Sequence, residues 1–478
     1  MGHKKKNGEA PKKGFPATRK NLVADETVTI DISKSNLPEG AVLNNYQEYT
    51  VQDLIIKRKV TCFRVARYKL PDGSYKTAPL PQEVNGHFGN GVKQYILHQY
   101  HACHVTQQKI HKTLIDIGIQ ISEGQINNIL LEETLPFEQE YDKTLEAGIA
   151  VAKDTSLEGD DSGHRHKGKN ATVFVIRNKF FTYFKSTNSK SRVSLLKILR
   201  GKNADYAINE VALAYFDSYN PARDLFNKIE QHKGRVFAND AEWNAFLEDL
   251  NINVVTVGKN SRKVLLEAVL LGSAVEHGLD PHTRFLSDGA STYDILVHAL
   301  CWIHAERAIK KIVAKNDAEA LEIDRLLDEI WDYYRELKQY QENATKQEKK
   351  YLDKQFDVIF GQIIEGEQLA IVLRGFREKK IALLQVLNHP QVPLHNNGSE
   401  RDIRPRVTQR KISGGTRSDE GCRARDIGGS LVSTCRKNGI SSWDFFGDRL
   451  RKSTQIPYLP DLIFQKASLE PPWPRSST

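Results

Sequence analysis

The sequence predicts an α/β fold, because the spacing of its apolar residues changes from helical to alternating near residue 151. The segments "ATVFVIRN" and "KFFTYFKST" alternate in the manner of a β-hairpin, and the strand before them is predicted to end near Asp160. The segment "SRVSLLKILRG" follows as a helix, and "ADYAINEVALAYF" is predicted as the next strand. Three strands, a helix and a further strand are typical of an α/β domain and not of a helical bundle.

Three regions are predicted before this domain. Residues 1–21 are rich in Lys, Gly and Pro, which indicates a disordered basic arm. Residues 22–90 contain the β-type runs "ETVTIDI" and "KVTCFRVARYKL" between Pro and Gly turns, and they predict a small β-rich module. Residues 91–148 follow a helical pattern instead.

The segment "HVTQQKIHKTLIDIGIQISEGQINNIL" in the helical region predicts a helix-turn-helix. Gly118 ends the first helix, and Ser122 can cap the second one. In this motif the second helix contacts bases. The predicted DNA contacts are Lys109 and Lys112 to phosphates, and Gln125, Asn127 and Asn128 to bases. Two packed helices that do not bind DNA are the alternative.

The α/β domain is predicted to cover residues 149–450 and to contain two insertions. Residues at about 220–282 have a mixed pattern, and those at about 310–390 are rich in Lys, Glu and Leu with few helix breakers. The second insertion is therefore predicted to be helical. Residues 451–478 end in "SLEPPWPRSST" and are predicted to form a C-terminal tail.

Composition favours a polyanionic partner and excludes a membrane-spanning protein. The net charge is +9, and the five cysteines are scattered without a CxxC pair. The most apolar stretch, residues 264–275, is interrupted by Glu267 and is too short to cross a bilayer. We therefore expect a cytoplasmic protein with free thiols.

Three acids are distinguished by their position at predicted strand ends or at the start of a helix. Asp160 ends a strand in "LEGDDSGHRHKGKN", Asp288 follows an apolar pair in "TRFLSDGASTY", and Glu400 opens a helix after "HNNG". Mg²⁺ binds through a few carboxylates together with water and phosphate oxygens. The three acids could form such a site if the fold brings them together, and a simple turn is the alternative at Asp288.

The residues around Glu400 are unusually basic for a helix that contains so few acids. Guanidinium groups bind phosphates through two hydrogen bonds at once. The residues of this segment that are predicted to contact DNA are Asn397, Arg401, Arg404, Arg410 and Lys411. Solvated side chains, or pairs with helical acids, are the alternative.

The segment "HALCWIHAER" spaces His298, Cys301 and His304 three residues apart, which would place them on one helix face. His and Cys are zinc ligands, but no fourth ligand follows at a usual spacing. We predict no zinc here and expect the segment to pack beside the strand of Asp288.

These segments resemble the IS66-type family of bacterial DDE transposases. The most specific likeness is "NNGSERDIRPRVTQRKISGG", followed by "SDGASTYDILVHALCWIHAERAIKK" and "DDSGHRHKGKN". The resemblance implies an RNase H-like catalytic core, which is a mixed five-stranded sheet flanked by helices. It also implies that Asp160, Asp288 and Glu400 hold two Mg²⁺ ions, for which Mn²⁺ can substitute.

The resemblance further implies strand cleavage at insertion-sequence ends and joining of the freed 3′-hydroxyl to target DNA. The implied partners are double-stranded DNA, a second protomer and small accessory proteins of the same element, with the protein at the bacterial nucleoid. Related members often carry paired cysteines in the N-terminal module. Only Cys62 is present here, so we predict no zinc in that module. A DNA-binding protein without catalysis and a nuclease without strand joining stay open.

Two positions depart from the family pattern. The first motif reads Asp160-Asp161-Ser instead of Asp-Glu-Thr, so Asp161 stays open as the first acid. In an RNase H-like order the second acid follows the strand after the first helix. Glu210 in "ADYAINEVAL", and Asp240 beyond it, are therefore alternatives to Asp288.

Overall fold

The computed structural model describes residues 23–33, 36–81, 84 and 86–469. The chain divides into two compact units, residues 1–60 and 61–478. The described residues of the first unit contain neither an α-helix nor a β-strand, so the prediction of a strand over "ETVTIDI" is wrong. Alternating apolar residues form a strand only where a neighbouring edge satisfies the backbone, and here Val28 and Ile30 are exposed. The predicted basic arm, residues 1–21, lies outside the described residues.

The described part of the second unit contains nine strands. They are β1 (Arg67–Lys69), β2 (Tyr75–Thr77), β3 (Leu157–His166), β4 (Lys169–Arg177), β5 (Thr182–Thr187), β6 (Tyr206–Ala207), β7 (Val236–Phe237), β8 (Arg284–Ser287) and β9 (Val297–Leu300). The main sheet has the order β5-β4-β3-β8-β9. Strand β3 pairs antiparallel with β4 and parallel with β8, so this five-stranded sheet is mixed, as predicted. The β1–β2 hairpin is the only sheet within the described part of the predicted β-rich module.

Twenty α-helices accompany these strands in the described part of the second unit. They are α1 (Asn90–His101), α2 (Gln107–Asp116), α3 (Glu123–Thr134), α4 (Glu138–Ala150), α5 (Arg192–Leu199), α6 (Glu210–Asp217), α7 (Arg223–Glu230), α8 (Asp240–Asp249), α9 (Val254–Val257), α10 (Lys259–Glu276), α11 (Trp302–Lys310), α12 (Asp317–Glu342), α13 (Lys346–Phe360), α14 (Glu367–Glu378), α15 (Lys380–Leu383), α16 (Gln385–Asn388), α17 (Asn397–Ser413), α18 (Asp419–Lys437), α19 (Ser442–Arg451) and α20 (Leu459–Ser468).

Helices cover both faces of the main sheet. Phe174 of β4 belongs to the large core that also contains α5 and α10. Its neighbour Val175 points to the other face and packs with Ile403 of α17. Helix α18 lies along the edge strand β5, where Ser430 Oγ accepts a hydrogen bond from the Phe184 backbone at 2.8 Å. The sheet is thereby buried on both sides.

The segment predicted as the second insertion contains helices α12 to α16 and has a core of its own. Trp302 of α11, Tyr333 of α12 and Phe356 of α13 pack together there. The indole of Trp302 donates to the Leu383 carbonyl at 3.0 Å. Helix α15 of this segment packs against β9, the edge strand of the main sheet.

Helices α2 and α3 occupy the segment predicted as a helix-turn-helix. Gly118 lies between them with a φ of +85°, a conformation that glycine adopts without strain. Ser122 accepts a hydrogen bond from the Gln125 backbone at 3.1 Å and so caps α3, as predicted.

Two sequence predictions are corrected by local contacts. In "ADYAINEVALAYF" only Tyr206 and Ala207 form a strand, because the side chain of Asn209 accepts from the Ala212 backbone and starts α6. Residues 451–469 are not a tail, because Leu459 and Ile463 of α20 are fully buried. Residues 470–478 lie outside the described part. Among the described residues, no helix is both long and apolar enough to cross a membrane.

Candidate active site

Asp160 lies inside β3 and Asp288 directly follows the neighbouring strand β8. The prediction that the strand ends near Asp160 is wrong, because pairing with β4 continues β3 to His166. Strands β3 and β8 run parallel, with Glu158 opposite Leu286. Extending this register by two residues places Asp288, which directly follows β8, opposite Asp160. The Asp288 carboxylate accepts a hydrogen bond from the Ala290 backbone at 3.0 Å, which fixes the loop after the strand.

Helix α17 brings Glu400 to the same place because both of its ends are attached to β3. At its start, the Asn396 side-chain amide donates to the Gly159 carbonyl at 3.0 Å. Towards its end, Arg410 lies 3.3 Å from Ser162 Oγ. Glu400 is in the first turn of the helix, one turn beyond Asn396.

A buried group of ion pairs lies between the sheet and α17. Arg177 of β4 donates to Glu158 of β3, and its Nε lies 2.7 Å from Asp402 Oδ2 of α17. Lys437 Nζ of α18 is 2.5 Å from the same Asp402 oxygen. A Cβ at position 398 would clash with Arg177, so Gly398 permits the close approach of α17. We call these four charged residues the paired group.

The carboxylate of Asp160 is surrounded by like charges. Burial raises its pKa to about 6, and the negative charges of Asp161, Asp288 and Glu400 contribute to the rise. The three predicted acids therefore lie close enough to interact electrostatically. A cation among them would relieve the repulsion.

Glu400 is one-third exposed and also contacts α11. Its Oε1 lies 3.3 Å from Arg307 Nη1 and 3.6 Å from His304 Nε2. Within the described part of the chain, Asp160 and Asp288 have no such cationic partner. The three acids together therefore carry more negative charge than their neighbours neutralise.

Asp161 projects from the opposite face of β3. Its Oδ2 lies 2.8 Å from Lys190 Nζ and accepts a hydrogen bond from the Tyr293 hydroxyl at 2.9 Å. Neighbouring strand residues point to opposite faces, so Asp160 shares its face with Ser162 and α17. Asp161 has partners, whereas Asp160 faces the helix of Glu400.

The two alternative acids lie beside the small β6–β7 sheet. Glu210 begins α6, is mostly exposed and accepts from Lys233 Nζ at 2.8 Å. Asp240 begins α8 and accepts a hydrogen bond from the Tyr206 hydroxyl. Neither residue is at the end of a main-sheet strand.

The residues predicted to contact DNA divide into exposed and half-buried side chains. The exposed ones are Lys109, Lys112, Asn128, Arg401, Arg404 and Lys411. The half-buried ones are Gln125, Asn127, Asn397 and Arg410. Asn127 Oδ1 accepts from Gln107 at 3.3 Å, and Arg410 is attached to β3, so these two already have contacts within the chain.

The segment "HALCWIHAER" is not a single helix, so the prediction of one face is wrong. His298 lies in β9, Cys301 precedes α11, and His304 is inside α11. The apolar residues around His298 complete the main sheet, which is why this part is extended. His298 Nε2 lies 2.8 Å from Ser287 Oγ, which places the segment beside the strand of Asp288, as expected.

The three acids suit a hard divalent cation by their chemistry. All of their donors are oxygens, and one carboxyl has its pKa raised partly by the other two. Within the described residues, however, no three His, Cys, Asp or Glu side chains stand close enough to enclose one metal ion. The contact of Glu400 with Arg307 holds that carboxylate towards α11.

Comparison with known proteins decides the family. The sequence model described as "Transposase IS66 family" matches residues 272–424. A protein of Sinorhizobium fredii (strain NBRC 101917 / NGR234), named "Uncharacterized protein y4jO", is 36% identical over 324 residues, which is 68% of this chain and all of the relative. The chain belongs to the IS66 transposase family. No solved structure matches it.

In this IS66 family member the matched segment contains Asp288 and Glu400, whereas Asp160 lies before it. Sequence reasoning missed Arg177, which joins β3 to α17, and it missed Lys190 and Tyr293, which satisfy Asp161 on the other face of β3. Lys190 stands in a polar loop without periodicity, and Arg177 follows the apolar run "VFVI" at the end of β4. An unpaired charge at the end of a buried strand is the one signal that could have identified Arg177.

Proposed function

We propose that this IS66 family member is a DDE-type DNA transposase that binds insertion-sequence ends, cleaves a strand there and joins it to target DNA. The observation that supports the proposal is that Asp288 and Glu400 are close enough to Asp160 to raise its pKa, beside the central strand of the mixed sheet. The acids come from the central strand, from the end of its parallel neighbour and from a helix on one face. That arrangement supports an RNase H-like core.

Asp160, Asp288 and Glu400 would hold two Mg²⁺ ions, or Mn²⁺ in their place. When bound, such ions activate the attacking oxygen and stabilise the leaving oxygen of a phosphodiester. The chain's own contribution is to fix the carboxylates: Asn396 and Arg410 hold α17 on β3. Arg307 and His304 would compete with the ions for Glu400.

The reaction requires no protein nucleophile. In the cleavage step a water oxygen attacks phosphorus in line, and the bond from phosphorus to the 3′ oxygen breaks, which leaves a 3′-hydroxyl. In the joining step this hydroxyl attacks a target phosphodiester, loses its proton and displaces the target's own 3′ oxygen. Arg401 and Arg404, both exposed on α17 next to Glu400, would bind the phosphates.

Helices α2 and α3 would bind the element ends. Lys109 and Lys112 are exposed on α2, and Asn128 is exposed on α3, so all three are accessible to DNA. Gln125, half-buried in the first turn of α3, would read a base beside them. Joining two ends requires two active sites, so we expect a dimer or larger assembly on DNA. Small accessory proteins of the same element would be further partners.

A cleavage and joining assay tests the proposal. Purified protein, Mg²⁺ and end-labelled element-end DNA should yield nicked and joined products. Glu400→Gln should lose both by at least about 100-fold, since even indirect supports of a metal site cost 10- to 100-fold. Glu365→Gln, which removes an exposed acid far from the three acids in sequence, is the matched control.

The same assay distinguishes the alternative functions. DNA binding without any cleavage would support a DNA-binding protein that has lost or changed its activity. Nicked products without joined ones would support an RNase H-like nuclease. Full activity in Glu400→Gln would contradict the proposed site itself.

A further inference from the structure

A second cleft, separate from the three acids, is lined by cations. It lies between the loop after α1, the second half of α17, and α18. Its charged or titratable lining residues are His101, His104, Arg406, Arg425 and Arg436. None of the described residues that line it is acidic. Asp426, which does not line the cleft, pairs with Arg406. Arg425 and Arg436 still give the lining an excess of positive charge.

Several polar atoms in this cleft lack a partner among the described residues. Arg425 is 9% exposed. Its two Nη atoms donate to Gly414, Tyr100 and Ser413, but its Nε makes no hydrogen bond. Nδ1 of His104 is likewise buried without a partner. A buried donor that is left unsatisfied costs about 1–3 kcal/mol, so native structures rarely keep one without a ligand, an ion or water.

The positive charges in the cleft oppose one another. Burial lowers the pKa of Arg406, and the charge of Arg425 lowers it further. Burial also lowers the pKa of His104, and the positive charges of Arg406, Arg436 and Arg425 lower it further. An anion would reverse each of these effects. His104 itself has a φ of +57°, a strained conformation that places the residue at the mouth of this charge cluster.

We propose that this cleft binds a phosphate group through Arg425, Arg436 and His104. The enclosed volume of about 10 Å³ admits one water-sized group, so one phosphate oxygen would enter and the rest would remain outside. The Nε of Arg425 would donate one hydrogen bond to that oxygen, and the exposed guanidinium of Arg436 would match the remaining oxygens with its planar donors.

The position of the cleft indicates the DNA backbone as the source of this phosphate, an inference that rests on the proposed function. The loop after α1 leads into α2 and α3, and α17 carries both Arg406 and Glu400. A phosphate bound here would therefore connect DNA on the helix pair with DNA at the acids. Free inorganic phosphate presents the same oxygens and is the other source.

Inorganic phosphate tests the site directly. Arg436 is exposed, so Arg436→Gln should fold normally, and Arg374→Gln removes an exposed arginine from α14 as the matched control. Calorimetric titration at constant ionic strength should show phosphate binding to the wild type and to Arg374→Gln. The affinity should be at least about tenfold weaker in Arg436→Gln, as expected for one charge-assisted hydrogen bond. His104→Asn, which tolerates the left-handed backbone, should also weaken it.

Element-end DNA distinguishes the two phosphate sources. If the DNA backbone occupies the cleft, Arg436→Gln should weaken DNA binding and reduce its salt slope by about 1, and Arg374→Gln should do neither. Phosphate binding that Arg436→Gln weakens, with unchanged DNA binding, would support the site with free phosphate as its ligand. Equal phosphate affinity in the wild type and Arg436→Gln would overturn the proposal. Phosphate binding without strand cleavage would leave the cleft intact and reject only the transposase function.

Discussion

Two groups of charged side chains lie along the contact between β3 and α17, and they are built in opposite ways. In the paired group the acids Glu158 and Asp402 face the bases Arg177 and Lys437. In the acidic group, Asp160, Asp288 and Glu400 face one another, and only Glu400 contacts cationic side chains of α11. The two groups are only two residues apart on each element, Glu158 and Asp160 on β3 and Asp402 and Glu400 on α17.

The difference indicates what each group does. In a buried ion pair, the attraction between the charges offsets the cost of removing them from water only when both partners are present. The pair also fixes the relative position of the two elements that carry its partners. The paired group therefore sets the position of α17 on the sheet. Like charges held together cost stability, and such a cost is typical of functional sites. The acidic group is placed by the paired group and by Asn396, and the cost is recovered when a cation binds.

The largest expected effect on stability comes from breaking the paired group. Arg177→Met would leave Glu158 buried without its ion-pair partner, and Asp402 would keep only Lys437 as a cationic partner. We expect the free energy of unfolding to fall by about 3–5 kcal/mol. Denaturant unfolding measures it, and Arg374→Met, which alters an exposed arginine, should stay within about 0.5 kcal/mol of the wild type. A loss below about 1 kcal/mol for Arg177→Met would mean that these ion pairs do not position α17.

In the acidic group, removing a charge is expected to raise the free energy of unfolding instead of lowering it. The pKa of Asp160 is about 6 in the folded protein, above the value of about 3.9 in an unfolded chain. Between these values the folded state binds more protons, so stability falls as the pH rises through this window. Asp160→Asn carries no charge there. It should be about 1–3 kcal/mol more stable than the wild type at pH 8, because each unit of difference between the folded and unfolded pKa corresponds to about 1.36 kcal/mol.

The control for this prediction is the pH itself. At pH 4 the folded forms of both proteins carry an uncharged group at position 160, so their unfolding free energies should be close. The same variant should lose strand cleavage, because it lacks one of the three carboxylates. A destabilised Asp160→Asn at pH 8 would show that the carboxylate is stabilised by a partner, contrary to the like-charge environment.

A smaller effect is expected from adding a metal ion. If the acidic group binds Mg²⁺, the wild type should gain about 1.4 kcal/mol of stability when Mg²⁺ is at ten times its dissociation constant. Asp160→Asn should gain much less stability from Mg²⁺. A sample in which NaCl of equal ionic strength replaces the Mg²⁺ salt is the control. Equal gains in both proteins would place the Mg²⁺ elsewhere.

The two groups also differ in how far the sequence predicts them. Asp288 and Glu400 were predictable because one follows a strand and the other begins a helix, whereas Asp160 lies inside β3 and was identified because its segment resembles the same family. Arg177, Asp402 and Lys437 come from distant parts of the chain, and only the packing of α17 and α18 on the sheet joins them. The strand predicted at Glu210 was wrong because a single capping residue, Asn209, began a helix there.

The same limit applies to the cation-lined cleft. His104 and Arg425 are far apart in sequence, and each looks like an ordinary surface residue in the printed chain. Their meeting depends on how the loop after α1 packs against α18, which periodicity does not encode. The sequence therefore predicts which elements form, while the contacts between distant elements decide which charges become partners.

The smallest effect, and the sharpest test of the acidic group, concerns the neighbour of Asp160. Asp161 lies on the other face of β3, where Lys190 and Tyr293 satisfy its carboxylate. Asp161→Asn keeps the acceptor for Tyr293 and loses one ion pair whose lysine, Lys190, is half-exposed, so stability should fall by only about 1 kcal/mol. Strand cleavage should stay within about tenfold of the wild type, the low end of the cost of indirect supports. If Asp161→Asn abolishes cleavage and Asp160→Asn preserves it, the first acid faces away from α17, and the proposed meeting of three carboxylates on one face is wrong.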